Sequence, residues 1–208
     1  MRFMHEGAVY PKIDLQSLPG SFDPLHGLLS TQVERPKHLN DVDLRKLQPV
    51  QRALLVIDGT VTKFLEAYFL EPVEAALVEQ KNQALSDNHA WLEVAKGTDI
   101  VARQVILRGR YSSTVYAYAI SLLVPNRLPD SMLKHLEVEP SGIGHVLLNS
   151  QMENRRDILW YGHEHIENLP EEIQRFTGSA FISRAYRIIA NNLPVMLINE
   201  KFPTQCFK

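Results

Sequence analysis

The chain has 208 residues, 45% hydrophobic and 22% charged, with a formal net charge of −2. That is enough apolar mass for one packed domain, and no positive excess that would draw it to nucleic acid or an anionic membrane. The longest wholly apolar runs, such as residues 53–57, are too short to span a bilayer, and M-R-F-M-H-E-G at the start lacks the apolar stretch of a secretory signal. The lone Cys206 excludes an internal disulfide and any zinc site built on several cysteines, so a cytoplasmic protein, monomeric or a small homo-oligomer, is expected.

Residues 1–40 carry Pro11, Pro19, Pro24 and Pro36 among Gly7, Gly20 and Gly27, too much punctuation for long elements, and read as an extended arm. Residues 41–208 read as a single domain. Within it, L-Q-P-V-Q-R-A-L-L-V-I followed by D-G-T-V-T-K-F-L-E-A-Y-F predicts helix, turn, helix. Pro49 suits the first position of the first helix, where its missing N–H costs nothing. Asp58-Gly59 breaks the chain, and the Thr60 hydroxyl is placed to cap the second helix.

Six later segments, 73–80, 99–108, 113–124, 155–161, 181–190 and 194–202, are mostly rich in β-branched and aromatic residues and predict strands. The links R-G-R-Y-S and N-N-L are short enough for hairpins, which favours antiparallel pairing. L-P-D-S-M-L-K-H-L and S-G-I-G-H-V-L-L-N predict short helices, whereas I-E-N-L-P-E-E reads as a solvated loop. The class is α+β: an antiparallel sheet of about six strands with helices packed on one side.

Two charges stand out against this pattern. Side chains on a strand alternate between faces. In P-V-M-L-I-N-E-K-F, Glu200 shares a face with Met196, Ile198 and Phe202, while Asn199 and Lys201 point the other way. In D-I-V-A-R-Q-V-I-L-R, Arg103 projects among Val101, Val105 and Leu107. A charge among aliphatic side chains needs an opposite charge, several hydrogen-bond partners or a polar ligand. The residues alone leave both readings open. The two can serve structural ion pairs, or Arg103 can grip a carboxylate in a pocket where Glu200 handles a proton.

From about Leu47 to Pro203 the chain resembles the chorismate lyase family, on L-L-V-I-D-G-T-V-T-K-F-L-E, V-A-R-Q-V-I-L, P-S-G-I-G-H-V-L-L, N-R-R-D-I-L-W-Y-G and L-P-V-M-L-I-N-E-K-F-P, in family order. The resemblance implies an antiparallel sheet with helices on it around a sealed site. The implied activity is the cofactor-free and metal-free cleavage of chorismate to 4-hydroxybenzoate and pyruvate, which would serve quinone-type or other aromatic products. It places the ring-carboxylate grip on Arg103 and the contact to the phenol end on Glu200. The ring-packing segment falls on Ile143 and Gly144, and a backbone donor falls on Thr60 or Val61, where a family member carries methionine. The arm and R-F-T-G-S have no counterpart in it. Two other readings share the fold: an effector-binding domain without enzymatic activity, and a chorismate enzyme giving another hydroxybenzoate.

Other residues weigh less. His163-Glu164-His165 puts two imidazoles on one side of an extended segment without an evident third metal ligand. Arg155-Arg156 beside Asp157 either extends an anion site or forms a salt-bridged strand end. His145 follows Gly144 and suits helix packing, and Tyr116 and Tyr118 are expected on one sheet face as packing residues.

Overall fold

The computed structural model describes residues 32–138, 142–150, 152–167, 169 and 171–207. Its elements run α1 (Pro49–Val56), α2 (Val61–Phe69), β1 (Val73–Ala84), β2 (Asp99–Gly109), β3 (Val115–Leu123), α3 (Asp130–Val138), α4 (Ile143–Asn149), β4 (Arg155–His165), α5 (Glu171–Thr177), β5 (Ala180–Ala190) and β6 (Leu193–Pro203). The six strands form one sheet in the order β1-β2-β3-β6-β5-β4, antiparallel at every neighbour. Two three-stranded meanders thus join through their last strands, with Ala119 opposite Glu200 at the seam.

Local chemistry sets these elements. Pro49 opens α1 as expected, and the Gln51 side chain accepts the Gln48 N–H at 2.8 Å. β5 turns into β6 through Asn191 and Asn192, both at positive φ (50° and 61°), the left-handed pair that a two-residue hairpin requires and asparagine tolerates. Thr60 holds the N-cap position of α2, but its side chain makes no capping bond. Its methyl is turned toward α4 instead: a Cβ added to Gly144 would lie 2.6 Å from Thr60 Cγ2.

One sheet face is covered by α1 to α4. Leu54 and Leu65 pack with Leu107, Ala117 and Phe202 at one end. Met132, Val146 and Leu147 pack with Leu123, Ile188 and Met196 at the other. Fully burying each such side chain stabilises the fold by about 2 kcal/mol.

The opposite face is also covered, by an element the sequence reading did not mark and whose first two residues it took for loop. α5, preceded by Leu169, buries Ile173 against Tyr118 and Phe181. Tyr116 and Tyr118 separate, contrary to the expected shared face. A bulge after Leu107 breaks the alternation, so Tyr116 stacks on Phe69 while Tyr118 packs beneath α5.

Residues 1–31 of the predicted arm lie outside the described residues. The remainder lies along β4: Gln32 bonds the backbone of Tyr161, Asn40 pairs with His163, and Leu39 sits where a side chain at position 162 would collide. No helix among the described residues is long and apolar enough to cross a membrane.

Candidate active site

Between the helix-covered sheet face and the α1–α2 turn lies a hollow with about 550 Å³ of non-atom space, open solvent at its mouth included. Sheet register builds its floor. Arg103 lies opposite Ser121, which lies opposite Ile198, which lies opposite Tyr186, and Glu200 is the next residue on that face of β6. The roof is Gly59–Thr62 together with Gly142, Ile143, Gly144 and Leu147. Thr60, Val61, Arg103, Ile143, Gly144 and Glu200, all marked in the sequence, line this one space.

Arg103 is 1% exposed, and its Nε and Nη1 find no hydrogen-bond partner among the described residues. Burial pulls its pKa down, yet a guanidinium remains charged at neutral pH. Among the described residues, then, the cavity holds a cation with no counter-charge in bonding distance. The same residue borders a second hollow at the ends of β1 and β2, near Gln80, Asn82 and Leu133.

Glu200 is different. At 6% exposure it accepts the Arg184 Nε–H at 2.9 Å on one oxygen and the Tyr186 hydroxyl at 3.1 Å on the other. Arg184, fully buried, also donates to the Ile57 carbonyl at 2.8 Å, tying the end of α1 to the carboxylate. Burial and the adjacent carboxylate push the Tyr186 phenol far above its ordinary pKa, so it stays protonated and donates.

Arg184 and Tyr186 escaped the sequence reading although they carry the signal that exposed Arg103. They alternate with Ile182 and Ile188 on one face of β5. The intervening Phe181, Ser183 and Ala185 are equally buried, which hides the period.

The pair Arg155-Arg156 splits. Arg155 is exposed and bonds Asp157 at 3.1 Å, whereas Arg156 lines the cavity. β4 continues through His163-Glu164-His165, where Glu164 pairs with Lys201 and approaches His38 at 3.5 Å. Its carboxylate is thus committed to a cation. No group of three or more His, Cys, Asp or Glu able to hold a metal gathers among the described residues. The side chain of His145 lies outside the described residues.

The family model for chorismate pyruvate-lyase Rv2949c-like proteins matches residues 55–208. The chain belongs to the Rv2949c-like chorismate pyruvate-lyase family. Chorismate pyruvate-lyase of Mycobacterium tuberculosis is 27% identical over 180 residues, covering 82% of this chain and 87% of the relative. That of Mycobacterium leprae is 26% identical over 176 residues, covering 82% and 81%. Among solved structures, the effector domain of PhnF from Mycobacterium smegmatis aligns with a TM-score of 0.53 at 10% identity over 71% of this chain and 90% of that one. A second PhnF structure gives 0.56 at 8% identity over 74% and 67%. At that identity the likeness is one of fold. The family match covers every residue that lines the cavity.

Proposed function

We propose that this protein is a chorismate pyruvate-lyase that releases 4-hydroxybenzoate and pyruvate. The observation that carries the reading is the fully buried, unpartnered Arg103 in the cavity that also holds Glu200. An empty hollow with an uncompensated cation suits a small organic anion, and the family match supplies its chemical class.

In this reading Arg103 takes the ring carboxylate in a forked contact. The first-turn N–H of α2 at Val61 or the N–H of Thr60 adds a backbone donor, since the first N–H groups of a helix have no partner within it. Ile143 and Gly144 pack against the ring from the roof, over Val105 and Ile198. Glu200, already accepting from Arg184 and Tyr186, has lone pairs left for the ring hydroxyl. Its role is to orient that hydroxyl as an acceptor, because both protein groups that touch it are donors.

The reaction itself balances without an external oxidant or reductant. The ether C–O bond breaks and its electron pair leaves with the enolpyruvyl group. The hydrogen on the hydroxyl-bearing carbon leaves as a proton, its bonding electrons complete the aromatic ring, and the enolpyruvate methylene gains a proton to become pyruvate. The protein contributes a fixed geometry and a preorganised field around a substrate already driven toward aromaticity.

The test is to mix purified protein with chorismate in metal-free buffer, follow the aromatic product by chromatography and measure pyruvate in a coupled assay. Equimolar 4-hydroxybenzoate and pyruvate are expected. Formation of 3-hydroxybenzoate would move the protein to a related chorismate reaction. Binding without turnover would make the domain an effector-type receptor.

A further inference from the structure

The cavity contains a second uncommitted cation. Arg156 sits on β4, the outermost strand on the far side of the sheet from Arg103. Its side chain is 14% exposed, and its Nε is buried without a hydrogen-bond partner among the described residues. The nearest acid is Asp58, 4.0 Å from Nη1, whose own side chain is 73% exposed. A contact at that distance to a solvated carboxylate is a weak tie. The adjacent acid, Asp157, cannot serve, because strand alternation points it to the opposite face, where it bonds Arg155 and Arg187.

Three strands, β3, β6 and β5, separate the two arginines. Four inter-strand spacings put their backbones about 19 Å apart. Both side chains nonetheless line the same hollow, so they reach inward from its two ends over a floor of Ser121, Ile198 and Tyr186. A ligand with one carboxylate satisfies one guanidinium and leaves the other bare. A ligand with a carboxylate at each end satisfies both.

We propose that Arg156 binds the second carboxylate of the substrate, the one on the enolpyruvyl arm. The inference rests on the lyase reading for the identity of that group, and for its existence on the unpartnered Arg103 and the weakly tied Arg156. It has a consequence for selectivity. Cleavage detaches the arm with its carboxylate, so the aromatic product is held from the Arg103 end alone and Arg156 returns to Asp58. Arg156 therefore discriminates substrate from aromatic product inside one cavity.

The experiment compares wild type with Arg156→Gln and Arg103→Gln, using chorismate turnover and calorimetric binding of 4-hydroxybenzoate. Arg156→Gln is expected to lower kcat/KM for chorismate about tenfold to a hundredfold, the worth of one charge-assisted contact. Its affinity for 4-hydroxybenzoate should stay within about twofold of wild type, whereas Arg103→Gln should weaken both ligands. A general packing defect would move both ligands together, so equal weakening by Arg156→Gln overturns the proposal, as does undiminished kcat/KM. If Arg156→Gln does not fold, Arg156→Lys, which keeps the charge and loses the fork, is read in the same way with a smaller loss. Absence of turnover in the wild type would sink the lyase reading alone. Calorimetry would then still decide whether wild type prefers the dianion chorismate to 4-hydroxybenzoate and whether that preference depends on Arg156.

Discussion

Two consecutive residues of β6 bury opposite charges on opposite faces of the sheet, and their fates differ. Lys201, on the face opposite Glu200 as expected, is 5% exposed and pairs with Glu164. Burial pulls the ammonium pKa down while the carboxylate pushes it back up. That pair closes on itself. Glu200, pointing the other way, is paired with Arg184 and bonded to Tyr186, but it shares its space with Arg103 and Arg156, which the described residues leave unsatisfied. A buried charge is therefore weak evidence for a site, because ion pairs of this kind serve structure as readily as chemistry. An excess of buried charge beside empty volume is far stronger evidence.

The comparison can be broken most directly at Arg103. Arg103→Met is expected to reduce turnover about a thousandfold, with the thermal midpoint equal to or above that of wild type because no protein partner is orphaned. A drop of several degrees would mean that Arg103 is structural after all. Glu200→Gln is expected to lower turnover about a hundredfold and to destabilise by about 3 kcal/mol in denaturant titration, since the fully buried Arg184 loses its counter-charge. Near-normal pyruvate release would remove Glu200 from the chemistry.

On the other face, Lys201→Met is expected to destabilise by about 3 kcal/mol through the stranded Glu164. Turnover per folded molecule should stay within about twofold of wild type. A large fall in turnover would erase the distinction between the two faces.

The smallest effect sharpens the same contrast with an acid held by neutral donors. Glu71 accepts the backbone N–H of Tyr111 and Ser112 at 3.0 and 3.1 Å, together with the hydroxyls of Ser112 and Tyr116. These bonds hold its carboxyl at about 2, below the ordinary 4.5. A depressed acid contributes stability that is fully present above its unfolded pKa and is lost as pH falls through the folded one. The thermal midpoint should therefore fall between pH 4.5 and about 2. In Glu71→Gln that part of the pH dependence should be absent, with the neutral-pH reaction rate unchanged.

The sequence carried the strands through their β-branched and aromatic runs, and both flagged charges because each interrupts an apolar set on its own face, Val101, Val105 and Leu107 around Arg103 and Met196, Ile198 and Phe202 around Glu200. It carried the tight β5–β6 turn through Asn191-Asn192. It concealed Arg184 and Tyr186 because β5 is buried on both faces, so polar residues there have no regular background to interrupt. α5 escaped because E-E-I-Q-R-F-T has charged or polar side chains at five of its seven positions, and Ile173 is its buried anchor. Thr60 was placed at its cap by residue type, but a methyl contact across the chain at Gly144 determined what the side chain does. Arg155 and Arg156 were indistinguishable as a pair until the strand's alternation was fixed in space.

Arg184 gives the chamber its latch. One guanidinium grips the reacting wall through Glu200 and the covering turn through the Ile57 carbonyl. Lifting the cover strips a hydrogen bond from the side chain that orders the carboxylate. The covering turn and the ordering of Glu200 are thus coupled through one side chain: displacing the turn costs the carboxylate part of its support.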